Sequence, residues 1–191
     1  MTDSLRTRIA KPSILKKLLD DLFAYTRLTS TNMKLDLKPV DIHDLIHQLL
    51  FEFEPIAMEH GVSIVRDCSR MHAVVMIDSD KFVRALDNLL MNALKYTIKP
   101  GSIRVYTQLD ETNFYVTVEN NAEPITKEQE VKLFDSFYEV DDSRQSEQIQ
   151  TGSGLGLSIA KNITELHGGT LGLTHQDGVY QFTVRMPRGS E

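Results

Sequence analysis

A glycine-rich stretch that leads directly into an apolar-periodic segment constrains this chain more than any other feature. Residues 147–169 read EQIQTGSGLGLSIAKNITELHGG, where Gly152, Gly154 and Gly156 alternate with small or apolar residues. The apolar residues that follow recur at helical spacing: Leu155, Ile159, Ile163 and Leu166. Glycine lets a backbone approach a ligand closely, and the N-terminus of a helix favours phosphate. The stretch predicts a loop that opens a helix, and it indicates either phosphate binding or only tight packing.

This loop fits neither of two common nucleotide-binding motifs. The P-loop ends in Gly-Lys-Ser/Thr, and the dinucleotide fingerprint follows directly on a strand. Here the preceding residues, 139–151, are polar and lack periodicity, which indicates a loop. Long loops in a compact domain are commonly lids or binding loops. A third kind of nucleotide site must therefore be considered.

Composition excludes several classes of function. The formal net charge of −6 argues against a general nucleic-acid or anionic-membrane surface. The only cysteine, Cys68, cannot form an internal disulfide and suits a reducing compartment. No apolar run reaches the roughly 18 residues of a membrane helix, and no signal-peptide pattern is present. We therefore expect a cytoplasmic chain without a membrane segment and without a nucleic-acid partner.

Hydrophobic periodicity predicts one amphipathic helix followed by an α+β domain. From residue 14 to residue 28 the apolar stripe is wide, which favours pairing with another helix in a bundle over packing on the domain itself. Strands are predicted at 33–40, 62–66, 73–77, 102–109, 113–119, 170–174 and 179–186, and helices begin near residues 41, 80, 126 and 155. This order predicts a two-layer sandwich, with a mostly antiparallel mixed sheet and helices on one face.

A second cluster of polar residues lies on the helix predicted to begin at Asp80. Asn88, Asn92 and Lys95 follow the spacing i, i+4 and i+7, so they share one face of that helix. Asparagine is a poor helix former, so two of them beside a lysine favour a site over an ordinary solvated face. Amide oxygens suit Mg²⁺, and a lysine can neutralise phosphate charge.

Three segments in this order resemble the catalytic ATP-binding domain of sensor histidine kinases. They read NLLMNALKYT, LFDSFYEVDD and GSGLGLSIAKNITELHGG. That family belongs to the ATPase superfamily shared with gyrase, whose fold is of the Bergerat type. The upstream segment LLDDLFAYTRL resembles the second helix of the family's dimerisation and phosphotransfer domain. The resemblance implies ATP and Mg²⁺ as cofactors and a protein histidine kinase as the activity.

The resemblance also implies roles for individual residues. Asn92 would be the Mg²⁺ ligand, and Asn88 and Lys95 would contact phosphates or metal-bound water. The remaining residues expected to bind the nucleotide or to anchor its lid are Tyr96, Asn120, Ile125, Phe134, Phe137, Gly152, Ser153, Gly154, Leu155, Gly156 and Leu157. Three of these, Asn88, Asn92 and Lys95, are also the expected catalytic residues.

The chain departs from the family's pattern after the central hairpin. The family usually has Asp-x-Gly-x-Gly there, whereas this chain has Asn120, and Ala122 and Pro124 replace both glycines. Asn120 can still accept from the adenine amino group, but without charge assistance. Thr151 also stands where a further glycine is common. We therefore expect ATP binding with weakened affinity.

None of the six histidines has the sequence context of the family's phosphoacceptor. We therefore expect this chain to be a fragment: residues 1–32 would be a remnant of the dimerisation domain, with its second helix at about 13–30, and residues 33–188 would be the catalytic domain. The resemblance implies a response regulator as a partner, homodimerisation of the full-length protein through the dimerisation helices, and membrane anchorage as one option. Two alternatives stay open: a nucleotide-binding regulatory module without phosphotransfer, and a serine kinase of the anti-sigma type.

Overall fold

The computed structural model of the chain describes residues 19–23, 25–27, 33–68, 73–140 and 153–188. A first helix, α1, comprises the helical residues 19–23 and 25–27. The other elements are β1 Lys38–Asp41, α2 Ile42–Glu59, β2 Val62–Asp67, β3 Val74–Ile77, α3 Ser79–Tyr96, β4 Gly101–Leu109, β5 Asn113–Asn121, α4 Lys127–Lys132, α5 Gly156–Leu166, β6 Thr170–Gln176 and β7 Val179–Pro187. The predicted order of helices and strands is confirmed.

The strands form one large sheet and one small one. The large sheet has the order β2-β4-β5-β7-β6, and only the β2–β4 pair is parallel. The small sheet is the antiparallel pair β1–β3. Side chains alternate along β4, β5 and β7, and one set of them packs into a core shared with α2, α3 and α5. The predicted α+β sandwich, with a mostly antiparallel mixed sheet covered by helices, is confirmed.

Aspartate caps position the two long helices. Asp41 accepts hydrogen bonds from the backbone N–H groups of His43 and Asp44, so the predicted cap of α2 is confirmed. The next long helix, α3, begins at Ser79 rather than at Asp80. Its cap is Asp78, whose carboxylate accepts from the N–H of Lys81. A capping aspartate satisfies N–H groups that the helix itself leaves free.

Two predicted elements are longer than the elements that the structure contains. The strand expected over 33–40 is limited to β1, because residues 33–37 pair with no strand in the described part of the chain. Here the N–H of Asp36 instead donates to the side chain of Asp78 at 3.1 Å. The helix expected from Thr126 to Phe134 ends at Lys132, where the chain turns towards the glycine loop.

The upstream helix α1 turns Asp21 and Tyr25, rather than its leucines and Phe23, towards the domain. Leu19, Leu22 and Phe23 are 45%, 42% and 64% exposed, whereas Asp21 is buried and Tyr25 is half-buried. The rest of the predicted stripe, including Leu15, Leu18 and Leu28, lies outside the described residues. Within the described ranges, no helix has both the length and the apolar character needed to cross a bilayer.

Candidate nucleotide-binding site

A pocket lies between α3, the glycine loop and the segment that follows α4. Its lining brings together residues that are far apart in the chain: Asp21, Asn88, Met91, Asn92, Lys95, Tyr96, Leu133, Tyr138, Glu139, Ser153, Gly154, Gly156 and Leu157. The two polar clusters that the sequence analysis found independently, one on α3 and one in the glycine loop, therefore meet at one place. A concave pocket in which a small number of polar groups converge is typical of a small-molecule site.

The pocket face of α3 presents polar side chains because the other faces of this helix are buried. Leu86, Leu90 and Leu94 are 2% exposed or less, and they hold the helix against the core. Asn88 and Asn92 lie one turn apart and both line the pocket. The Nδ2 atom of Asn88 is buried and has no hydrogen-bond partner among the residues that the structure describes. A buried amide donor without a partner is costly, so an acceptor supplied by a ligand in this pocket would remove that cost.

Lys95 brings a positive charge to the same pocket. Its Nζ atom lies 3.1 Å from Oε1 of Glu139 and 5.0 Å from the centre of the Tyr96 ring. Burial lowers the pKa of Lys95, but Tyr96 and Glu139 together outweigh burial, and the pKa is raised above its ordinary value. The ammonium is therefore fully charged near neutral pH. An incoming phosphate would find a cation here that contacts the carboxylate of Glu139 and the side chain of Tyr96.

The N-terminus of α5 offers hydrogen-bond donors to the pocket. Leu155 precedes this helix, and among the residues that the structure describes no side chain caps it, in contrast to the aspartate caps of α2 and α3. The first N–H groups of an α-helix have no partner within the helix, and with the helix dipole they favour an anion. The hydroxyl of Ser153 accepts from the N–H of Leu155 at 3.3 Å, which orders the approach to the helix.

Gly154 is required because another backbone lies against it. Its φ is +64°, and a Cβ at this position would lie 2.6 Å from the carbonyl carbon of Phe137. The N–H of Phe137 donates to the carbonyl oxygen of Gly154 at 2.9 Å, and Phe137 itself has a φ of +66°. This contact joins the residues that flank the segment 139–151, for which the sequence predicts a loop of the kind that often forms a lid. Most of that segment, with Gly152, lies outside the described residues.

Gly156 lies beside Asn88 of α3. A Cβ on Gly156 would lie 3.5 Å from Oδ1 of Asn88, which is ordinary van der Waals contact, so the first turn of α5 packs directly against that amide. The first turn of α5 and the polar face of α3 therefore form two walls of one cradle. Its donors are backbone N–H groups, amides and one ammonium, a set suited to a polyphosphate.

The predicted base-recognition residues lie near the end of the central strand β5, with Asn120 on the strand and Ile125 in the loop that follows it. Asn120 on β5 is 3% exposed, and its strand neighbours are Ile103 and Tyr180. The hydroxyl of Tyr180 accepts from the N–H of Ile125 at 3.0 Å and donates to the carbonyl of Glu123 at 3.1 Å. These two bonds fix the loop in which the family's glycines are replaced. A side chain thus supplies the order that a tight glycine turn would otherwise provide.

Not every predicted site residue lines the pocket. Eight do: Asn88, Asn92, Lys95, Tyr96, Ser153, Gly154, Gly156 and Leu157. Asn120, Ile125, Phe134, Phe137 and Leu155 do not; Leu155 is core at 1% exposure, and Phe134 packs on Phe182 with ring centres 6.3 Å apart. Helical and glycine spacing identified Asn88, Asn92, Lys95, Gly154 and Gly156, and the family resemblance added Tyr96, Ser153 and Leu157. No pattern pointed to Asp21, Met91, Leu133, Tyr138 or Glu139 as pocket residues, because their positions depend on how segments pack.

The pocket fits a metal that arrives with phosphates rather than one held by the protein alone. Among the described residues, no three His, Cys, Asp or Glu side chains are grouped so that they could hold a metal ion. Mg²⁺ usually keeps several waters and takes one or two protein oxygens together with substrate phosphates. The amide oxygen of Asn92, in a pocket with a phosphate cradle, is suited to that mode.

Comparison with known proteins agrees with this geometry. Residues 77–190 match the family model described as histidine kinase-, DNA gyrase B- and HSP90-like ATPase. The chain is 28% identical over 193 residues to the sensor protein VanSC of Enterococcus gallinarum, and 32% identical over 189 residues to the sensor histidine kinase CusS of Escherichia coli O6:H1. Both alignments cover 98% of this chain, which spans 52% of VanSC and 38% of CusS.

Solved structures share the fold. The catalytic domain of histidine kinase ThkA superposes with a TM-score of 0.69 at 25% identity, over 80% of this chain and 96% of that domain. Full-length ShkA, crystallised with AMPPNP, superposes with a TM-score of 0.79 at 23% identity, over 93% of this chain and 36% of ShkA. On the family match and on this fold, the chain belongs to the family of histidine kinase-, DNA gyrase B- and HSP90-like ATPases.

Proposed function

We propose that this chain binds Mg·ATP in the pocket between α3 and the glycine loop, and that it transfers the γ-phosphoryl group to a histidine of a separate two-helix domain. The observation that supports this most directly is that, within the described part of the chain, Nδ2 of Asn88 has no hydrogen-bond partner and the adjacent N-terminus of α5 has no side-chain cap. We further propose that residues 33–188 form the catalytic domain and that residues 1–32 belong to a dimerisation domain.

Each residue of the pocket then has a role. The amide oxygen of Asn92 holds Mg²⁺, and the amide of Asn88 donates to a phosphate oxygen or to metal-bound water. Lys95 exchanges Glu139 for phosphate, and Tyr96 lies against the nucleotide. The N–H groups at the start of α5, with Ser153, Gly154 and Gly156, surround the phosphates. Mg²⁺, when bound, supplies positive charge that offsets the charge of the transferred group.

The remaining predicted residues bind the base or support the lid. Asn120 accepts a hydrogen bond from the adenine amino group, and Ile125 lies against the base. Phe134 and Phe137 anchor the start of the lid segment, and Gly152 and Leu157 complete the loop around the phosphates. Leu155 acts only indirectly, because it is buried in the core and fixes where α5 begins.

Phosphoryl transfer requires little covalent chemistry from the protein. The lone pair of the acceptor imidazole nitrogen forms a bond to the γ-phosphorus while the bond from that phosphorus to the bridging oxygen breaks, and ADP leaves with the electron pair. The pocket contributes position and charge neutralisation, which dominate catalysis in this class of reaction. No general base is required of the pocket residues.

The partners follow from the same proposal. A response regulator would accept the phosphoryl group in turn; a homologue, ThkA, was crystallised in complex with the response regulator protein TrrA. The full-length protein would be a homodimer through its dimerisation helices, with this part of the chain on the cytoplasmic side of the membrane if a sensor domain anchors it.

The test uses ATP labelled at the γ-position and an added two-helix domain that carries a histidine. We expect acid-labile, base-stable label on the added domain, dependent on Mg²⁺ and lost in the Asn92→Ala variant. Binding of ATP without any such transfer, with several histidine-bearing domains tried, would contradict the kinase and favour a regulatory nucleotide-binding module.

The chain by itself should bind ATP without labelling itself. His167 lies at the end of α5, where its ring bonds to the N–H of Asp78 and the carbonyl of Ile163, and it is not free to accept. His43 and His47 lie on α2, which contributes no residue to the pocket. Acid-labile label on the isolated chain would contradict this expectation, because a residue of the chain itself would then accept the phosphoryl group.

A further inference from the structure

The upstream helix α1 reaches into the proposed nucleotide pocket with one carboxylate. Asp21 is 9% exposed and lines the pocket, although it stands 132 positions before Ser153 in the chain. Its Oδ2 atom accepts from the Ser153 hydroxyl at 3.1 Å, and its Oδ1 atom accepts from the guanidinium of Arg84 at 3.1 Å. Arg84 also donates to the backbone carbonyl of Asp20 at 3.2 Å, so the helix is held at two adjacent residues.

A second contact joins the same helix to the other end of the lid segment. The rings of Tyr25 and Phe137 meet edge to face, with centres 6.2 Å apart. Phe137 and Gly154 are bonded to each other and stand where the lid segment begins and ends. One turn of α1 therefore contacts residues that flank that segment on both sides, through Asp21 at Ser153 and through Tyr25 at Phe137.

The hydroxyl of Ser153 can satisfy only one anion at a time. A serine hydroxyl has one proton to donate, and here the proton goes to Asp21. The hydroxyl oxygen also accepts from the N–H of Leu155, but its single proton is the only group that it can donate to an anion. A phosphate oxygen that needs the Ser153 proton must displace the carboxylate. Asp21 also places a negative charge in the pocket that a triphosphate would enter, and this charge repels the negative charges of the phosphates.

We propose that α1 competes with the nucleotide for the pocket. Asp21 accepts the hydrogen bond that the Ser153 hydroxyl would otherwise donate to a phosphate, so nucleotide binding and docking of the helix exclude each other. This inference rests on the proposed function, since it assigns the pocket to a phosphate ligand. Movement of the upstream helix then changes nucleotide affinity, and by reciprocity the nucleotide releases the helix. A signal that shifts this helix would reach the phosphate site through one carboxylate, without any change in the core.

The test is calorimetry of Mg·ATP binding to the 191-residue chain and to its Asp21→Asn and Asp21→Ala variants. We expect both variants to bind Mg·ATP more tightly, on the order of fivefold or more. The matched control is Asp20→Asn, which removes the same charge from the neighbouring residue. Arg84 bonds the backbone carbonyl of Asp20, which this substitution leaves in place, so the Mg·ATP affinity of the control variant should stay unchanged. Unchanged affinity in the Asp21 variants would overturn the inference. Weaker binding would also overturn it, because Asp21 would then be part of the nucleotide site.

Hydrogen exchange gives a second readout that does not depend on affinity. In the unaltered chain, Mg·ATP should lower the protection of the amides around Asp21 and Tyr25, because the helix is displaced. Increased or unchanged protection of this segment in the bound state would overturn the inference. If neither the unaltered chain nor the Asp21 variants bind Mg·ATP, the proposed function itself fails, and the inference fails with it.

Discussion

Gly154 and Phe137 meet backbone to backbone, and this contact sets the geometry of the glycine loop. Alanine at position 154 would require both a positive φ and a methyl group 2.6 Å from the carbonyl carbon of Phe137. We expect Gly154→Ala to lower the free energy of unfolding by about 1–3 kcal/mol and to weaken Mg·ATP binding. Chemical denaturation and calorimetry measure the two effects.

Gly172→Ala is the matched control for this substitution. Gly172 lies in β6, where a Cβ would have nothing within 4 Å. Alanine there should be neutral or slightly stabilising, since glycine is entropically unfavourable in a strand. Equal behaviour of the two variants would contradict the close contact at Gly154.

Substitution of Asn120 by aspartate should affect ATP affinity and the stability of the nucleotide-free protein in opposite directions. The Asn120→Asp variant would give the adenine amino group a charged acceptor, and charge-assisted hydrogen bonds are stronger than neutral ones by about 1 kcal/mol. The same carboxylate would be buried without a charged partner when no nucleotide is bound, at a position that is 3% exposed. We expect tighter ATP binding together with a lower melting temperature of the nucleotide-free protein. Calorimetry and thermal unfolding measure these; weaker ATP binding would contradict base recognition by Asn120.

At the residue scale, the sequence predicted those pocket residues that are spaced at helical intervals along one element. Asn88, Asn92 and Lys95 were predicted to share a face, and all three line the pocket, because helical periodicity alone determines which residues align. Asp21 could not be found in this way. Its contact with Ser153 depends on how α1 docks, and no local pattern encodes a contact between residues so far apart.

At the scale of elements, the end of α5 is joined to the start of α3 by a histidine. Nε2 of His167 accepts from the backbone N–H of Asp78 at 3.1 Å, while the Nδ1 atom donates to the carbonyl of Ile163 at 2.8 Å. This arrangement needs the neutral ring, with its proton on Nδ1. Burial lowers the pKa of His167 below its ordinary value of 6.5, although the Ile163 carbonyl and Asp78 act in the opposite direction.

This histidine makes stability depend on pH with a definite sign. Because the folded state disfavours the charged ring, the unfolded state binds more protons, and stability rises with pH. The contribution is complete above about pH 6.5, the ordinary pKa, and is lost as the pH falls below it. We expect His167→Gln to destabilise the protein by about 1 kcal/mol at pH 7.5, and by less at pH 5.5. Urea unfolding at both pH values measures this; a difference that grows towards low pH would contradict the assignment.

Element boundaries were predicted less well than element types. β1 is shorter than expected because the alternating residues 33–37 find no partner strand in the described part of the chain, and the backbone of Asp36 bonds to Asp78 instead. α4 ends early because the chain must turn to place Phe137 against Gly154. In both cases a long-range contact overrides the local pattern, which a single sequence does not reveal.

At the scale of the whole molecule, the fold was predictable because two periodicities alternate cleanly along the chain. The strand order was not, because the pairing of β5 with β7 joins strands that are separated by two helices and by β6. That pairing brings the loop after β5 close to Tyr180 and leaves the pocket between α3 and α5. The same packing sets α1 across both ends of the lid segment, so one molecule holds the nucleotide cradle and the helix that opposes it.

The central claim is that Asn92 holds the Mg²⁺ of a bound Mg·ATP. Titration calorimetry of the chain with ATP, with and without Mg²⁺, tests it directly, with Asn162→Ala on α5 as a control asparagine outside the pocket lining. We predict that the unaltered chain and Asn162→Ala bind ATP more tightly when Mg²⁺ is present. Asn92→Ala should lose that Mg²⁺-dependent gain and keep an unaltered circular dichroism spectrum, because alanine favours the helix. The same Mg·ATP affinity in Asn92→Ala as in the unaltered chain would contradict the account.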